Sequence, residues 1–236
     1  MRKTTYTAGA LSLAAALAFA APAQAGGWHH HGDDLAKLSV LHGVPGLTVD
    51  VWVDGNLTLD DFTPGSLAGP LELAAGDYVI AITASDATSA DNPAIGPVTV
   101  ELDDGGNYTA VAHLDADGAP TATLFTNDTK APRNDDKGKL TVRHVAAAPA
   151  VDVLAGGTAV IEGLANPGEA TLKLKAGTIS ASVAAAGTTG PVIGPADITV
   201  EAGKNTIVYA WGSLADGTLA SAVQVVDSGN RGHGRH

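Results

Sequence analysis

The sequence predicts an all-β protein in which two tandem immunoglobulin-like β-sandwich domains follow an N-terminal signal peptide. Three observations predict this fold: a self-similarity at a spacing of about one hundred residues, short segments of alternating polarity, and frequent glycine-containing turns. The chain has 236 residues, 45% of them hydrophobic and 16% charged, which suits two packed domains. It has no cysteine, and this excludes disulfides, thiolate metal sites and a cysteine nucleophile.

The N-terminal segment has the three parts of a secretory signal. Arg2 and Lys3 supply positive charge, residues 8–21 form an apolar run, and residues 23–25 read Ala-Gln-Ala, which suits signal peptidase. The apolar run is too short for a stable membrane span, and no later segment approaches that length. We therefore expect a secreted chain that begins at Gly26, with no membrane span in the mature protein.

An internal repeat organises the rest of the chain. The segment 38–42 returns as 140–144, and 49–51 returns as 151–153, with the same separation between them in both copies. Further matches, in the same order, are 71–76 with 172–177, 95–97 with 193–195, and 116–118 with 215–217. Order and spacing together indicate a duplicated domain.

Each copy has the pattern of a sandwich. Apolar side chains at every second position, as at Tyr78, Ile80 and Ile82, place one face of a strand on a core and the other towards solvent. About seven such strands per copy, separated by turns such as Asp54-Gly55, favour two packed antiparallel sheets. The predicted organisation is a signal peptide at 1–25, a flexible His-rich tail at 26–36, repeat 1 at 37–128, a linker at 129–138, repeat 2 at 139–227 and a flexible tail at 228–236.

The charge of the chain limits the classes of partner. The formal net charge is −12, so the chain repels nucleic-acid phosphates and anionic membrane surfaces. We expect no nucleic-acid binding, no cofactor, and a partner that is an extracellular protein or an envelope polymer.

The repeated segments carry a resemblance. Residues 41–55 combine a strand that ends in His, a Pro-containing crossover, Val-Asp-Val and a turn, and residues 142–153 repeat this arrangement. The pattern resembles the family called domain of unknown function 4397, in particular its two-copy exported forms from actinobacteria. The resemblance implies a bacterial extracellular β-sandwich module of unassigned activity. The common form of the family has Ala-Ser-Pro-Asp after the His, and neither copy keeps that Ser or Asp.

Two repeated pairs are the first candidates for a site: His42 with Asp50, and His144 with Asp152. An imidazole and a carboxylate could act as a base and its orienting group, although no Ser or Thr recurs as a nucleophile. The structural alternative is a strand-end His that bonds a nearby carboxylate or carbonyl and fixes the crossover. We favour the structural alternative.

The tails offer a second candidate. His29, His30 and His31, near Asp33 and Asp34, are ligand types that suit Zn²⁺ or Cu²⁺. His233 and His236 add imidazoles at the other end. A flexible tail provides no fixed geometry, so we expect adventitious rather than dedicated metal affinity.

Two further hypotheses concern aromatic and acidic residues. Trp52, Tyr209 and Trp211 could stack on sugars, although aromatic side chains in β-proteins mostly pack in cores, and Trp52 is the one least expected to be buried. The acidic segments 103–107 and 115–118 have ligand types for Ca²⁺, but turn chemistry explains them equally well.

These observations favour a secreted, non-enzymatic module that acts by surface contact. The alternative is an exported metal-binding protein that uses its His-rich termini. A third hypothesis is a hydrolase built on His42 or His144, which requires a Ser or Thr hydroxyl within hydrogen-bond reach of the imidazole.

Overall fold

A computed structural model describes residues 35–229, which form sixteen strands and no helix. The first repeat contains β1 (Ala36–His42), β2 (Val49–Val53), β3 (Asn56–Phe62), β4 (Leu67–Leu73), β5 (Gly76–Ala84), β6 (Ile95–Leu102), β7 (Asn107–Leu114) and β8 (Pro120–Thr126). The second contains β9 (Lys137–Ala147), β10 (Val151–Ala155), β11 (Thr158–Leu164), β12 (Gly168–Lys175), β13 (Gly177–Ala185), β14 (Pro191–Val200), β15 (Lys204–Ser213) and β16 (Ala220–Asp227).

The two repeats have the same topology. The first pairs a sheet of order β4-β1-β7-β8 with one of order β3-β2-β5-β6, and the second pairs β12-β9-β15-β16 with β11-β10-β13-β14. Within each repeat one strand pair, β1 with β7 or β9 with β15, is parallel and the other pairs are antiparallel. The predicted tandem β-sandwich fold is confirmed.

Each repeat has eight strands rather than about seven. The additional strand in the first repeat is β3, a mostly polar and exposed edge strand whose period-two pattern is interrupted at Asp61. It is joined to β2 by Asp54 and Gly55, whose φ angles of 49° and 74° suit the type I′ turn of a two-residue hairpin. A polar edge strand of this kind carries little hydrophobic signal in the sequence.

Each sandwich encloses its own core. In the first, side chains such as Leu38, Val51 and Ile82 meet between the two sheets. In the second, Leu140, Val153 and other branched side chains do the same. The alternation that predicted two interiors therefore describes both sandwiches.

A third interior lies between the sandwiches. Leu41, Val111 and Phe125 of the first repeat pack against the second repeat's residues Val145, Ile207, Tyr209 and Val226. The side chains that point away from each sandwich core on β1, β7, β9 and β15 thus meet those of the other repeat. Both faces of each central sheet are covered, and β7 and β9 are buried along almost their whole length. Residues 35–229 thus form three apolar interiors where the repeat pattern predicts two.

The segment predicted as the linker is tied to the second sandwich. Residues 133–136 are exposed, whereas Pro132 is buried. Lys130 pairs with Gly229 as a parallel bridge, and Gly229 N–H donates to the Thr129 carbonyl over 2.8 Å. Lys139 at the start of β9 forms an ion pair of 2.6 Å with Asp128. Because of these contacts, residues 128–130 of the connection between the two repeats are held against the second sandwich.

The predicted signal peptide at 1–25 and His29, His30 and His31 lie outside the described residues. Among the residues that are described, no helix is long and apolar enough to cross a membrane. The predictions of cleavage and export remain predictions.

The loop between β3 and β4 provides a test of the third interior. A Cβ at Gly65 would lie 2.9 Å from Cζ2 of Trp211, a residue of the second repeat, whereas a Cβ at Gly55 meets nothing within 4 Å. Both glycines have positive φ, 79° and 74°. We predict that Gly65→Ala lowers the free energy of unfolding by about 1–3 kcal/mol more than Gly55→Ala, because only the former adds an overpacked contact. Urea unfolding of the two variants measures the difference, and equal losses would show that Trp211 does not pack on this loop.

Candidate functional site

The repeated histidines close the loops that follow them. His42 Nε2 lies 2.8 Å from the Leu47 carbonyl, and His144 Nε2 lies 3.1 Å from the Pro149 carbonyl. A carbonyl can only accept, so Nε2 carries the proton in both rings. Each Nδ1 then accepts, over 3.4 Å, from the backbone N–H two residues further on, that of Val44 or Ala146. Each ring is therefore a neutral imidazole that bonds two backbone groups of the segment that follows it and leads to β2 or to β10.

Burial favours this neutral form. Both rings are 1% exposed. Burial lowers the pKa of His42, and the hydrogen bond to the Leu47 carbonyl opposes it only in part. Burial likewise lowers the pKa of His144 against the opposing carbonyls of Pro149 and Ala148. If Nδ1 were protonated, it could no longer accept the backbone N–H, and the charged ring would be buried without contact with water.

The repeated aspartates hold β-bulges. Between the pairs Val49↔Phe62 and Val51↔Leu59, Asp50 alone on β2 faces two residues of β3. Its Oδ1 accepts the N–H of one of them, Asp61, over 3.0 Å. The bulge residue Asp61 has a φ of 50°. Asp50 therefore bonds an N–H that the bulge removes from the regular strand ladder.

The second repeat uses Asp152 in the same way. Its Oδ1 accepts from Gly163 N–H over 2.8 Å, and Gly163 takes the positive φ of 65° that Asp61 has in the first repeat. Its Oδ2 accepts from Gly187 N–H over 2.7 Å. These two backbone donors lower the pKa of Asp152. The aspartate of each Val-Asp-Val segment thus fixes a bulge opposite it.

The structure does not bring the histidine and aspartate of a pair together. The hydrogen bonds of His42 and His144 go to backbone atoms, and so do those of Asp50 and Asp152. Among residues 35–229, no Ser or Thr hydroxyl bonds to either imidazole. The geometry required for a hydrolase at these positions is therefore not found in the described part of the chain.

A third buried histidine was missed in the sequence. His113 on β7 is fully buried; its Nδ1 donates to the Leu114 carbonyl over 2.8 Å, so its Nε2 accepts from the Thr123 hydroxyl over 2.9 Å. Burial lowers its pKa, and the proximity of His144 adds to this, against the Leu114 carbonyl and Asp115. His113 does not recur in the repeat, so self-similarity gave no signal for it.

The third interior contains a polar cluster, here called the junction cluster: Arg143, Asn127, Tyr209, Gln224, Thr109 and Ser39. Arg143 Nη1 donates to Asn127 Oδ1 over 2.9 Å and to the Tyr209 hydroxyl over 2.8 Å. The Tyr209 hydroxyl donates to Gln224 Oε1 over 2.6 Å.

The junction cluster joins the two repeats directly. Gln224 Nε2 on β16 donates to Ser39 Oγ on β1 over 3.1 Å, and Thr109 on β7 donates to Gln224 Oε1 over 3.0 Å. Outside the cluster, the Asn166 amide donates to the carbonyls of Leu114 and Ala146, which belong to different repeats. Hydrogen bonds therefore tie the sandwiches at several points within an apolar interface.

The charge of Arg143 is balanced although the residue is only 1% exposed. Its Nε donates over 2.8 Å to Glu169, whose side chain reaches the surface at 41% exposure. The guanidinium carbon lies 4.4 Å from the Phe125 ring centroid, in cation–π geometry. Removing one partner of such a buried, hydrogen-bonded charge costs about 3–5 kcal/mol in other proteins. Arg143 thus contacts both sandwiches, through Asn127 and Phe125 on one side and Tyr209 and Glu169 on the other.

Arg143 could have been found in the sequence. It stands where the first repeat has Leu41, directly before the repeated histidine, as the one charged residue among residues 140–147. A buried charge in an apolar strand indicates a partner across an interface.

Other candidates have structural roles in the described residues. Trp52, the aromatic whose burial the sequence left least certain, is buried, and its Nε1 donates to Thr83 over 2.9 Å. Tyr209 is fully buried and Trp211 packs on Gly43 and Gly65, so these three aromatic rings do not form an exposed platform.

The acidic segments use their carboxylates in turns. Asp115 Oδ1 accepts the N–H groups of Asp117 and Ala119, and Asp103 accepts the hydroxyl of Tyr108. Another acidic group, Asp50 with Asp60 and Asp61, places carboxylate oxygens within 4.8 Å of one another. Asp60 and Asp61 are exposed, and nothing further points to a cation there.

Comparison with known proteins identifies a family. The model of the family described as domain of unknown function (DUF4397) matches residues 36–154 and 139–235. Together the two matches span almost all of the chain after its N-terminal segment. A search of curated proteins finds no match.

The three buried histidines predict acid sensitivity. Their pKa values in the folded protein lie below the ordinary value of about 6.5, so the unfolded chain binds more protons in the range between the two. We predict that the free energy of unfolding is constant above about pH 7 and falls as the pH decreases below about 6.5. Urea unfolding at pH 7.5, 6.5, 5.5 and 5.0 measures this fall. Constant stability down to pH 5 would show that the rings accept protons without loss of their contacts.

Proposed function

Because the chain belongs to the DUF4397 family, we propose that it is a secreted, non-catalytic β-sandwich module that acts by surface contact with an extracellular protein or envelope polymer. The observation that carries this proposal is the use of each repeated His and Asp in backbone hydrogen bonds that hold a loop or a bulge. The groups best suited to acid–base chemistry stabilise the scaffold instead. The signal-like N-terminal segment supports export.

The arrangement of the sheets supports particular contact surfaces. The third interior covers the central sheets, so the loops and the exposed positions of β3, β5 and β6 and of β11, β13 and β14 are left for a partner, whereas β2 and β10 are buried. These exposed positions include threonines such as Thr99, Thr178 and Thr199, together with separated apolar side chains such as Val79. The whole chain has a formal net charge of −12. Contact surfaces on so acidic a chain suit a neutral or basic partner rather than a polyanion.

The proposal is tested on the producing cells. We expect the chain in the culture medium or on the wall, with Gly26 as its first residue in mass spectrometry. We also expect the purified chain to co-sediment with isolated cell wall or to bind one protein of the culture supernatant, equally well for wild type and His42→Gln. An intact N-terminus on cytoplasmic protein would contradict export. A hydrolytic activity that His42→Gln or His144→Gln abolishes without unfolding would contradict the non-catalytic role.

The alternative function is metal binding by the His-rich termini. It is favoured by His29, His30 and His31 beside Asp33 and Asp34, which provide five ligand groups within six residues. Calorimetric titration with Zn²⁺ and Cu²⁺ compares the chain from Gly26 with a variant that lacks 26–34 and 230–236. The second cut leaves Ser228 and Gly229 in place, because their N–H groups bond Gly203 and Thr129. Tight binding that is lost on trimming supports metal handling, and heats that are the same for both proteins contradict it.

A further inference from the structure

The first sandwich contains an apolar cavity of about 320 Å³ that the second does not share. It lies between β5 and β6 of the outer sheet and β7 and β8 of the central sheet. Its walls include the branched side chains Ile80, Ile82, Ile95 and Leu124 and the small side chains Ala110 and Ala112. For comparison, an apolar cavity of about 150 Å³ is large enough to bind benzene. The cavity therefore has the size of a small-molecule site.

The equivalent space in the second repeat is much smaller. It lies between β13 and β14 and the sheet of β9, β15 and β16, and has a volume of only about 30 Å³. Ala110 pairs with Val40 in the parallel β1–β7 ladder, and Val208 pairs with Val142 in the equivalent β9–β15 ladder. A valine thus stands in the second repeat where the first has an alanine, which is one of several differences in the side chains around this space.

The cavity is reached from the edge of the sandwich. The wall strands β6 and β8 are the edge strands of their sheets, so no further strand covers the opening between them. Val98 on β6 lines the cavity and is 37% exposed. The lining on β5, β7 and β8 extends over three positions of each strand, a rise of about 7 Å. A small molecule can therefore enter from this edge.

The charges of the lining select the chemical class of the ligand. No Lys, Arg or His is among the described residues that line the cavity, and the Thr123 hydroxyl is already bonded to His113 on the other face of the sheet. A carboxylate or phosphate would find no cation here. An uncharged hydrocarbon meets apolar walls.

From this geometry we propose that the first sandwich binds an uncharged apolar molecule, such as an aliphatic alcohol, between β6 and β8. This site is separate from the proposed surface contact, and neither requires the other. It also differs between the two repeats, so one ligand binds per chain.

The test uses the neutral fluorescent probe N-phenyl-1-naphthylamine with the full chain. We expect saturable binding of one probe per chain, at least tenfold weaker in Ala110→Val, which introduces the residue of the second repeat. Ala122→Leu fills the same cavity from edge strand β8 and should have the same effect. The matched control, Ala68→Val on β4 outside the cavity, should bind as wild type does. Far-UV circular dichroism and thermal unfolding establish that each variant is folded.

Competition then tests the charge of the ligand. We expect 1-decanol to displace the probe at a concentration at least tenfold lower than decanoate, both below micelle formation. Equal potency of decanoate would overturn the assignment of an uncharged ligand. Absence of probe binding to wild type, or undiminished binding to folded Ala110→Val and Ala122→Leu, would overturn the site itself. None of these results bears on cell-wall or protein contact, which is measured separately.

Discussion

The architecture depends on the burial of both faces of the two central sheets. Once the outward side chains of β1, β7, β9 and β15 meet in a third interior, each polar group placed there needs a partner from the protein. Arg143 meets this requirement through Asn127, Tyr209, Glu169 and the ring of Phe125. Apolar packing is non-directional and is compatible with several relative positions of the sandwiches. Hydrogen bonds have preferred angles, so the junction cluster favours one of these positions.

The two copies share a fold and have diverged where they meet. The first repeat contributes Leu41, Val111 and Phe125 to the third interior, and the second has Arg143, Tyr209 and Gln224 at the equivalent positions. The result is a pair of complementary surfaces rather than two identical ones. The interiors differ as well, since the first sandwich has a cavity of about 320 Å³ where the equivalent space in the second is about 30 Å³. The two copies thus keep one scaffold and differ in the side chains at their interface and in one interior.

The sequence predicted much of this structure because the repeat, the alternation and the turns are local signals. In both copies the carbonyl partner of the repeated His lies five residues after it, at Leu47 or Pro149. This equal spacing is another local feature of the sequence. The bulges were not predicted, since the role of Asp50 and Asp152 depends on a register between strands that periodicity does not fix. Burial of Trp52 could not be read from the alternation of its strand, because that strand is buried on both faces. The third interior was missed because within each repeat its residues resemble a solvent face with a few apolar members.

The third interior should make the two sandwiches one cooperative unit in unfolding. Differential scanning calorimetry of the mature chain at pH 7.5 measures this cooperativity. We expect a single transition whose calorimetric enthalpy equals its van't Hoff enthalpy, because neither repeat can unfold without exposing the junction cluster. Two resolved transitions, or a calorimetric enthalpy about twice the van't Hoff value, would mean that the repeats unfold independently and that Arg143 does not couple them.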